Sequence, residues 1–555
     1  MNKSESIFPP IFLRAFSSRF RSVTIKMERL NLVVLIMAMG LSFVIYLILY
    51  RLYYHPLVQF PGPVLARATY AYEWYYDLVL RGQYTFKLRE LHAKYGPVIR
   101  LNPDELHFDD PDYYDEIFNV TNGEAEKPYR VANVFGPYPA AIGTQGHNLH
   151  RIRRGALNPF FSKRSVLDLV PFIQTHIDRL CARFDAASKF AEPIDLKYCF
   201  AAVTLDIMNE YCFSTDSLTT MKPDFGRKSF EDIDSFLEIS LLVSASGAPG
   251  FNRDSPYYCQ STDWVFYELT SVKDRIMRIL NPAMSDILDM RERLLADGFG
   301  FRIWRSKWKI YEVRKIFLTR SIGHRTVFHD LLESSLPGEE MTRNRLRDEA
   351  FSLVTAGSGT TAYVLRNLSY HIAANHRVQQ KLLTELRTVM PHTTSRPDLQ
   401  KLESLPYLNA VIQEGLRMTQ PITHRLSRLF PKKTLVFQGK IIPPGTVVHM
   451  TALLIHENED IFPDAKSFIP ERWLDSKLPL KRYLVPFARG PRSCLGINLA
   501  WAELYLIVAM VFRRFDFDVA GVVRERDIDA ARDVIMGVPR SDSEGVVVEV
   551  LENDI

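Results

Sequence analysis

The segment Phe487-Ala488-Arg489-Gly490-Pro491-Arg492-Ser493-Cys494-Leu495-Gly496 decides how the rest of the chain is read. Gly490 and Pro491 predict a tight turn, and the apolar run after Cys494 predicts a helix over residues 495–512. A cysteine at the mouth of such a helix meets free backbone N–H groups, which stabilise a thiolate and temper its electron donation to a bound metal. Phe487 is placed to shield the sulfur, and Arg492 to meet an anionic cofactor group. A lone cysteine in a turn is most often a buried structural residue, but ten residues in this order are too specific for that reading. The other cysteines, Cys181, Cys199, Cys212 and Cys259, are sparse and form no CxxC pair, so neither a disulfide framework nor a zinc module is indicated.

Working outward, the 555 residues are 47% hydrophobic, 12% aromatic and 24% charged, the composition of a packed globular protein. Near-neutral mean hydropathy excludes a polytopic membrane protein. The net charge of +5 is local, because residues 301–325 hold eight Lys/Arg and one Glu. No basic footprint for nucleic acid is spread over the chain. Within that run, residues 302–320 with Trp304, Trp308 and Tyr311 read as a solvated helix face with aromatics packed inward, and carry no assigned function.

Residues 30–50 are 21 uncharged positions, enough at about 1.5 Å each to span a ~30 Å hydrocarbon core. They predict a single transmembrane anchor in a lipid bilayer; no small-residue cleavage site follows, and Arg51, Tyr53 and Tyr54 fit an interface. The six basic residues of 1–29 favour a cytosolic N-terminus, although a start at Met27 would remove most of that bias. Pro56, Pro61, Gly62 and Pro63 predict a stiff elbow over 51–64, and residues 65–555 read as one large domain. Apolar spacing of three and four predicts helices over 86–95, 166–184, 345–374 and 402–418, with short strands at 98–101, 434–437, 447–450 and 546–550. The expected class is mainly α with small β-sheets.

With these elements in place, the FxxGxRxCxG pattern of 487–496 resembles the haem-ligand signature of the cytochrome P450 family. Glu414-Gly415-Leu416-Arg417 is similar to that family's ExxR motif, and Phe468-Ile469-Pro470-Glu471-Arg472-Trp473 to the motif that follows it. The resemblance implies a cytochrome P450-like fold preceded by one transmembrane helix, with haem b held through the thiolate of Cys494 as the iron's axial ligand. It further implies a Glu414, Arg417 and Arg472 structural network, and propionate contacts from His150, Arg154, Arg428 and Arg492 beside the shielding Phe487. His150 stands where many relatives have Trp; a metal site at His147 and His150 lacks a further ligand. Residues 95–100, 82–86 and 424–428 resemble in particular the trichodiene oxygenase-like fungal enzymes of secondary metabolism.

Ala356-Gly357-Ser358-Gly359-Thr360-Thr361-Ala362 contains the G-x-G-x-x-A of a dinucleotide turn. The helical spacing runs straight through it with no preceding strand, against a dehydrogenase. By the resemblance this is the oxygen-binding groove, with Thr360 aiding proton delivery. Gly359 departs from the family, which usually places Asp or Glu there, and Asp348 and Glu349 are about three turns away.

What the resemblance implies is a monooxygenase that hydroxylates or epoxidises a hydrophobic terpenoid- or polyketide-like secondary metabolite with O2. Electrons would come from a separate NADPH-cytochrome reductase, because too few residues follow Cys494 for a flavin domain. The family's usual placement would be the endoplasmic reticulum with the catalytic domain cytosolic. Pocket positions carried over are Val134, Phe135, Leu353, Ala356, Ile422, Thr423, Met536 and Val538. Two rivals keep the haem: an isomerase or dehydratase needing no reductase, which suits Gly359, and a sensor that oxidises nothing.

Overall fold

Pro10 opens a helix of 44 residues, Pro10–Tyr53, whose stretch Asn31–Tyr53 is long and apolar enough to cross a membrane and is not buried against the rest of the chain. This computed structural model describes residues 10–120, 125–132, 140–246, 326–475 and 478–553; Val134, Phe135 and the basic run 302–320 lie outside them. The helix runs three residues past the expected end at 50, and its last turn is gripped by the body. Arg51 donates to the Ala68 carbonyl at 3.0 Å, Arg67 to Leu52 O at 3.2 Å, and the fully buried Arg100 to Arg51 O at 2.7 Å. The proline elbow is packed down as well: Phe60 is buried, and Arg100 N donates to Pro61 O at 2.7 Å.

The body is mainly helical with small sheets, as the sequence leads one to expect. Its axis is the 31-residue helix Arg343–Ala373, along which lies Leu196–Phe213, buried at every residue but Lys197. A helix apolar on all sides has to be enclosed on all sides. Gly357 allows the close approach, since a Cβ there would sit 2.5 Å from Met208 Sδ. Helices Lys163–Phe190, Pro406–Thr419 and Ile497–Arg514 complete the core. The expected continuous helix over 402–418 is instead two, Leu399–Glu403 and Pro406–Thr419. Pro406 has no N–H to donate and sits at the first position of a new helix, where none is needed.

The four-stranded sheet has the order Val98–Asn102, Glu105–Phe108, Val447–Met450, Leu426–Leu429, with only the central pair parallel. Leu435–Phe437 pairs with Lys440–Ile442, and Val547–Glu552 with Phe515–Asp518. One-residue spacing carries Arg532–Val534 into Met536–Val538 as a hairpin.

Between helix Pro406–Thr419 and the cysteine segment lies a buried ionic knot. Glu414 is 0% exposed and accepts from Arg417 at 2.8 and 3.0 Å, Arg472 Nε at 3.1 Å, Ile469 N at 3.0 Å and Trp473 Nε1 at 2.9 Å. Arg417 also donates to the carbonyls of His456 at 2.8 Å and Ala465 at 2.7 Å. Removing one partner of such a pair strands a charge in low dielectric. Arg417→Ala is therefore expected to cost about 3–5 kcal/mol of stability. Urea unfolding of the purified full chain at unchanged slope checks it, and a shift of the midpoint no larger than that of a surface Arg→Ala control would contradict it.

Candidate active site

The cysteine segment is fixed before the helix begins. Gly490 has φ +71° and a Cβ there would lie 2.0 Å from Phe118 O, so only glycine lets this turn seat against the short helix Tyr114–Phe118. Arg489 pairs with Asp115 at 2.9 Å, and Cys494 N donates to Phe487 O at 2.8 Å, closing the loop on itself. The helix starts at Ile497, two residues later than the sequence suggests, with Gly496 at its cap. The Gly496 N–H lies against the sulfur and lowers its pKa, as does Arg154, though burial raises it more. Phe487 packs on Trp501 at 6.2 Å between ring centres, which stacks in turn on Tyr505.

Cys494 is exposed by surface area yet desolvated enough for burial to dominate its thiol. A sulfur screened from bulk water yet left uncovered by neighbouring atoms has room for a ligand beside it. A Cβ at Gly496 or at Gly359 would meet no atom within 4 Å, so there is open space beside both. The long helix has a window of its own, where Ala356 is exposed and Thr355, Gly357, Gly359 and Thr360 are half-buried between fully buried neighbours. Thr360 and Thr355 each donate to the carbonyl four residues back, at 2.8 and 2.7 Å. Leu353 is buried at the edge of this window.

Around the cysteine loop gathers positive charge that few of the described carboxylates balance. Arg492 donates to the carbonyls of Thr144 and Gln145, Arg154 to Ser493 O at 2.6 Å, and Arg428 to Ser427 O at 2.8 Å while lying over the Phe118 ring. Burial, then mutual repulsion, pushes Arg428 and Arg492 down to about 10 and His150 down to about 3. Lys127, which the sequence reading missed, belongs to the same group: burial and then Arg492 and Arg428 push its ammonium down to about 7. It donates to Ile142 O at 2.5 Å. No periodicity marks a loop lysine, so only the fold reveals it. Among the carboxylates near these groups, Glu126 is the one that acts on Arg492. Cations that depress one another in this way fit a bound dianion, as a haem carrying two propionates would be, with Cys494 as thiolate donor.

Glu503, also unmarked in the sequence reading, is the lone acid in the apolar helix Ile497–Arg514. It is 1% exposed, and neither oxygen has a hydrogen-bond partner among the described residues. Burial pushes its carboxyl up to about 8, although the Thr361 hydroxyl beside it pulls the other way. Of the remaining pocket positions, Ile422 and Met536 are half-buried and bridge one another, Val538 is half-buried, and Thr423 is fully buried with its hydroxyl donated to Asp533 at 3.1 Å.

The family profile described as Cytochrome P450 matches residues 73–542. Among curated relatives, cytochrome P450 monooxygenase MO6277 of Ascocoryne sarcoides is 39% identical over 90% of this chain and 95% of its own. N-acetyltryptophan 6-hydroxylase ivoC of Emericella nidulans is 33% identical over 93% and 96%, and tryptophan 6-hydroxylase fscE of Fusarium equiseti 34% over 90% and 93%.

The raised Glu503 carboxyl has a thermodynamic signature. Between the unfolded value near 4.5 and the folded value of about 8, the folded chain holds a proton that the unfolded chain has lost, so stability falls as pH rises. Glu503→Gln removes this slope, worth up to about 1.4 kcal/mol per pH unit. The melting temperature of the variant, relative to wild type, is expected to rise steadily from pH 5 to pH 8. A difference that stays flat across that range would place the proton elsewhere.

Proposed function

Since the chain belongs to the cytochrome P450 family, we propose that Cys494 is the axial thiolate of its haem and that the enzyme inserts one atom of O2 into a hydrophobic secondary metabolite, hydroxylating or epoxidising it. The activity is that of a haem-thiolate monooxygenase, which takes electrons from a redox partner. The observation that carries the site assignment is the convergence of a desolvated thiol with a buried cationic group, linked through Arg154. Bound haem iron supplies the activation of dioxygen. The chain's own work is to hold that group and shape the space above it. Arg154 and the Gly496 N–H would steady the thiolate, Arg428, Arg492 and Lys127 would offset propionate charge, and the neutral His150 would offer a propionate its ring N–H.

On the long helix, Thr360 has its hydroxyl lent to Ala356 O, from which it could turn to pass a proton through water. Gly359 offers no carboxyl, and the space where one would stand is open. That favours either water-borne proton delivery or, as the second reading, an isomerase or dehydratase that needs no reductase. Leu353, Ala356, Ile422, Met536 and Val538 are the apolar positions that would wall the substrate space, in keeping with a terpenoid- or polyketide-like substrate. The hydroxylation of tryptophan and its N-acetyl derivative by two relatives adds aromatic amino-acid derivatives to the candidates. We further assign a separate NADPH-cytochrome reductase as electron source and, from the helix Asn31–Tyr53, a single-pass anchor in the endoplasmic reticulum with the body cytosolic, which puts residues 1–29 on the lumenal side against the bias of their basic charge.

The test is a carbon monoxide difference spectrum of the reduced full-length protein. Wild type is expected to give the red-shifted Soret band of a thiolate-ligated complex and Cys494→Ser to lose it. Folded, haem-loaded wild type without that band would sink the assignment. Product analysis over a terpenoid, polyketide and indole panel, with and without NADPH and reductase, separates the two readings: turnover that ignores both additions means isomerase or dehydratase.

A further inference from the structure

Asp533 is a fully buried carboxylate that none of the family motifs accounts for. It sits one residue before the end of strand Arg532–Val534, and four donors from three separate segments converge on it. Thr85 donates to Oδ2, His424 Nδ1 lies 3.0 Å from the same oxygen, Thr423 donates to Oδ1 at 3.1 Å, and Ile535 N donates to Oδ1 at 2.9 Å. Backbone contacts repeat the pattern. Asp533 N donates to Gly82 O at 3.0 Å, Gln83 Nε2 to Ala531 O at 2.7 Å, and His424 N to Ile535 O at 3.4 Å. Gly82 has φ +85°, and a Cβ there would be 2.1 Å from Asp533 O, so the approach tolerates no side chain.

The hairpin held in this way is strained. Ile535 carries φ +80°, a conformation that a β-branched side chain adopts only when its surroundings impose it. What imposes it here is the Asp533 carboxylate on its N–H and His424 on its carbonyl. Directly beyond, Met536 bridges Ile422, and Gly537 is seated on Thr423, where a Cβ would be 2.8 Å from Thr423 Cγ2. His424, Thr85 and Arg425 together hold the carboxyl below its usual range despite burial, so it is an anion and a strong acceptor.

From this geometry we propose that Asp533 is a specificity-determining positioning residue: it clamps the turn at 422–424 and the hairpin at 535–538 to the segment 82–85, and thereby fixes where Ile422 and Met536 stand over the substrate space. The inference rests on the reading of those two side chains as pocket wall. The clamp acts on shape, not on the thiolate. Loosening it lets Ile535 relax and the two apolar side chains shift together, so that ligands of different size are no longer told apart as before.

The experiment uses full-length protein with Asp533→Asn, and with Thr85→Val, which deletes one arm while leaving the carboxylate. Imidazole and phenylimidazole serve as probes, their dissociation constants read from the Soret shift of the ferric protein. Hydrogen exchange of 421–424 and 534–538 is followed alongside. The expected result is faster exchange in both segments and a change of about tenfold in the ratio of the two constants, the scale of one misplaced methylene-sized contact. The carbon monoxide spectrum should stay that of wild type. An unchanged ratio with unchanged exchange in either folded variant overturns the clamp. Changed exchange with an unchanged ratio overturns the specificity role. Loss of the thiolate spectrum in wild type itself would strike the functional reading instead, while the exchange data would still judge the clamp.

Discussion

A carboxylate with no exposure to water, Glu414, is the constraint on which the rest of the site depends. Its two oxygens gather two guanidinium groups, an indole N–H and a backbone N–H from two stretches of chain. Any of these donors without Glu414 would be a buried cation or an orphaned polar group, and Glu414 without them would be an unpaired buried charge. Such an arrangement is all or nothing, and stability is weak evidence for why it exists. Its effect is positional: helix Pro406–Thr419 and the loop 463–473 are locked in one relation.

The electrostatics of the site have two halves that need each other. The thiol alone is held up by burial, and the cations alone are held down by burial and by one another. Folding this chain therefore brings together groups that each would prefer another environment, with Arg154 as the element common to both, facing Cys494 and adding its field to His150 and Arg492. A group that is cationic toward the sulfur and dianionic at its rim satisfies both halves together.

How much of this could be read from the sequence follows from how each signal arises. Strongly amphipathic or motif-bearing elements were legible: the long helix through Gly357 and Gly359, the strand at 447–450, the turn at Gly490, and the spacing that brings Glu414 beside Arg417. Helix Leu196–Phe213 was not, because a segment enclosed on all sides has no polar face and hence no period. The break before Pro406 was missed because apolar spacing happened to stay in phase across it. Lys127 and Asp533 act through tertiary convergence alone, which no local pattern encodes. Glu503 had a signal that could have been used: a single acid among apolar residues one helix after the cysteine.

The grip on the end of the first helix has a consequence for how the molecule meets its surroundings. Arg100, fully buried, ties the last turn of that helix to the sheet through the carbonyls of Arg51 and Pro103. With the helix in a bilayer, the body would not swing on a tether. It would ride at a set tilt, drifting in two dimensions and always turning the same side to the lipid, so that solutes partitioned into the membrane would meet it from a fixed bearing.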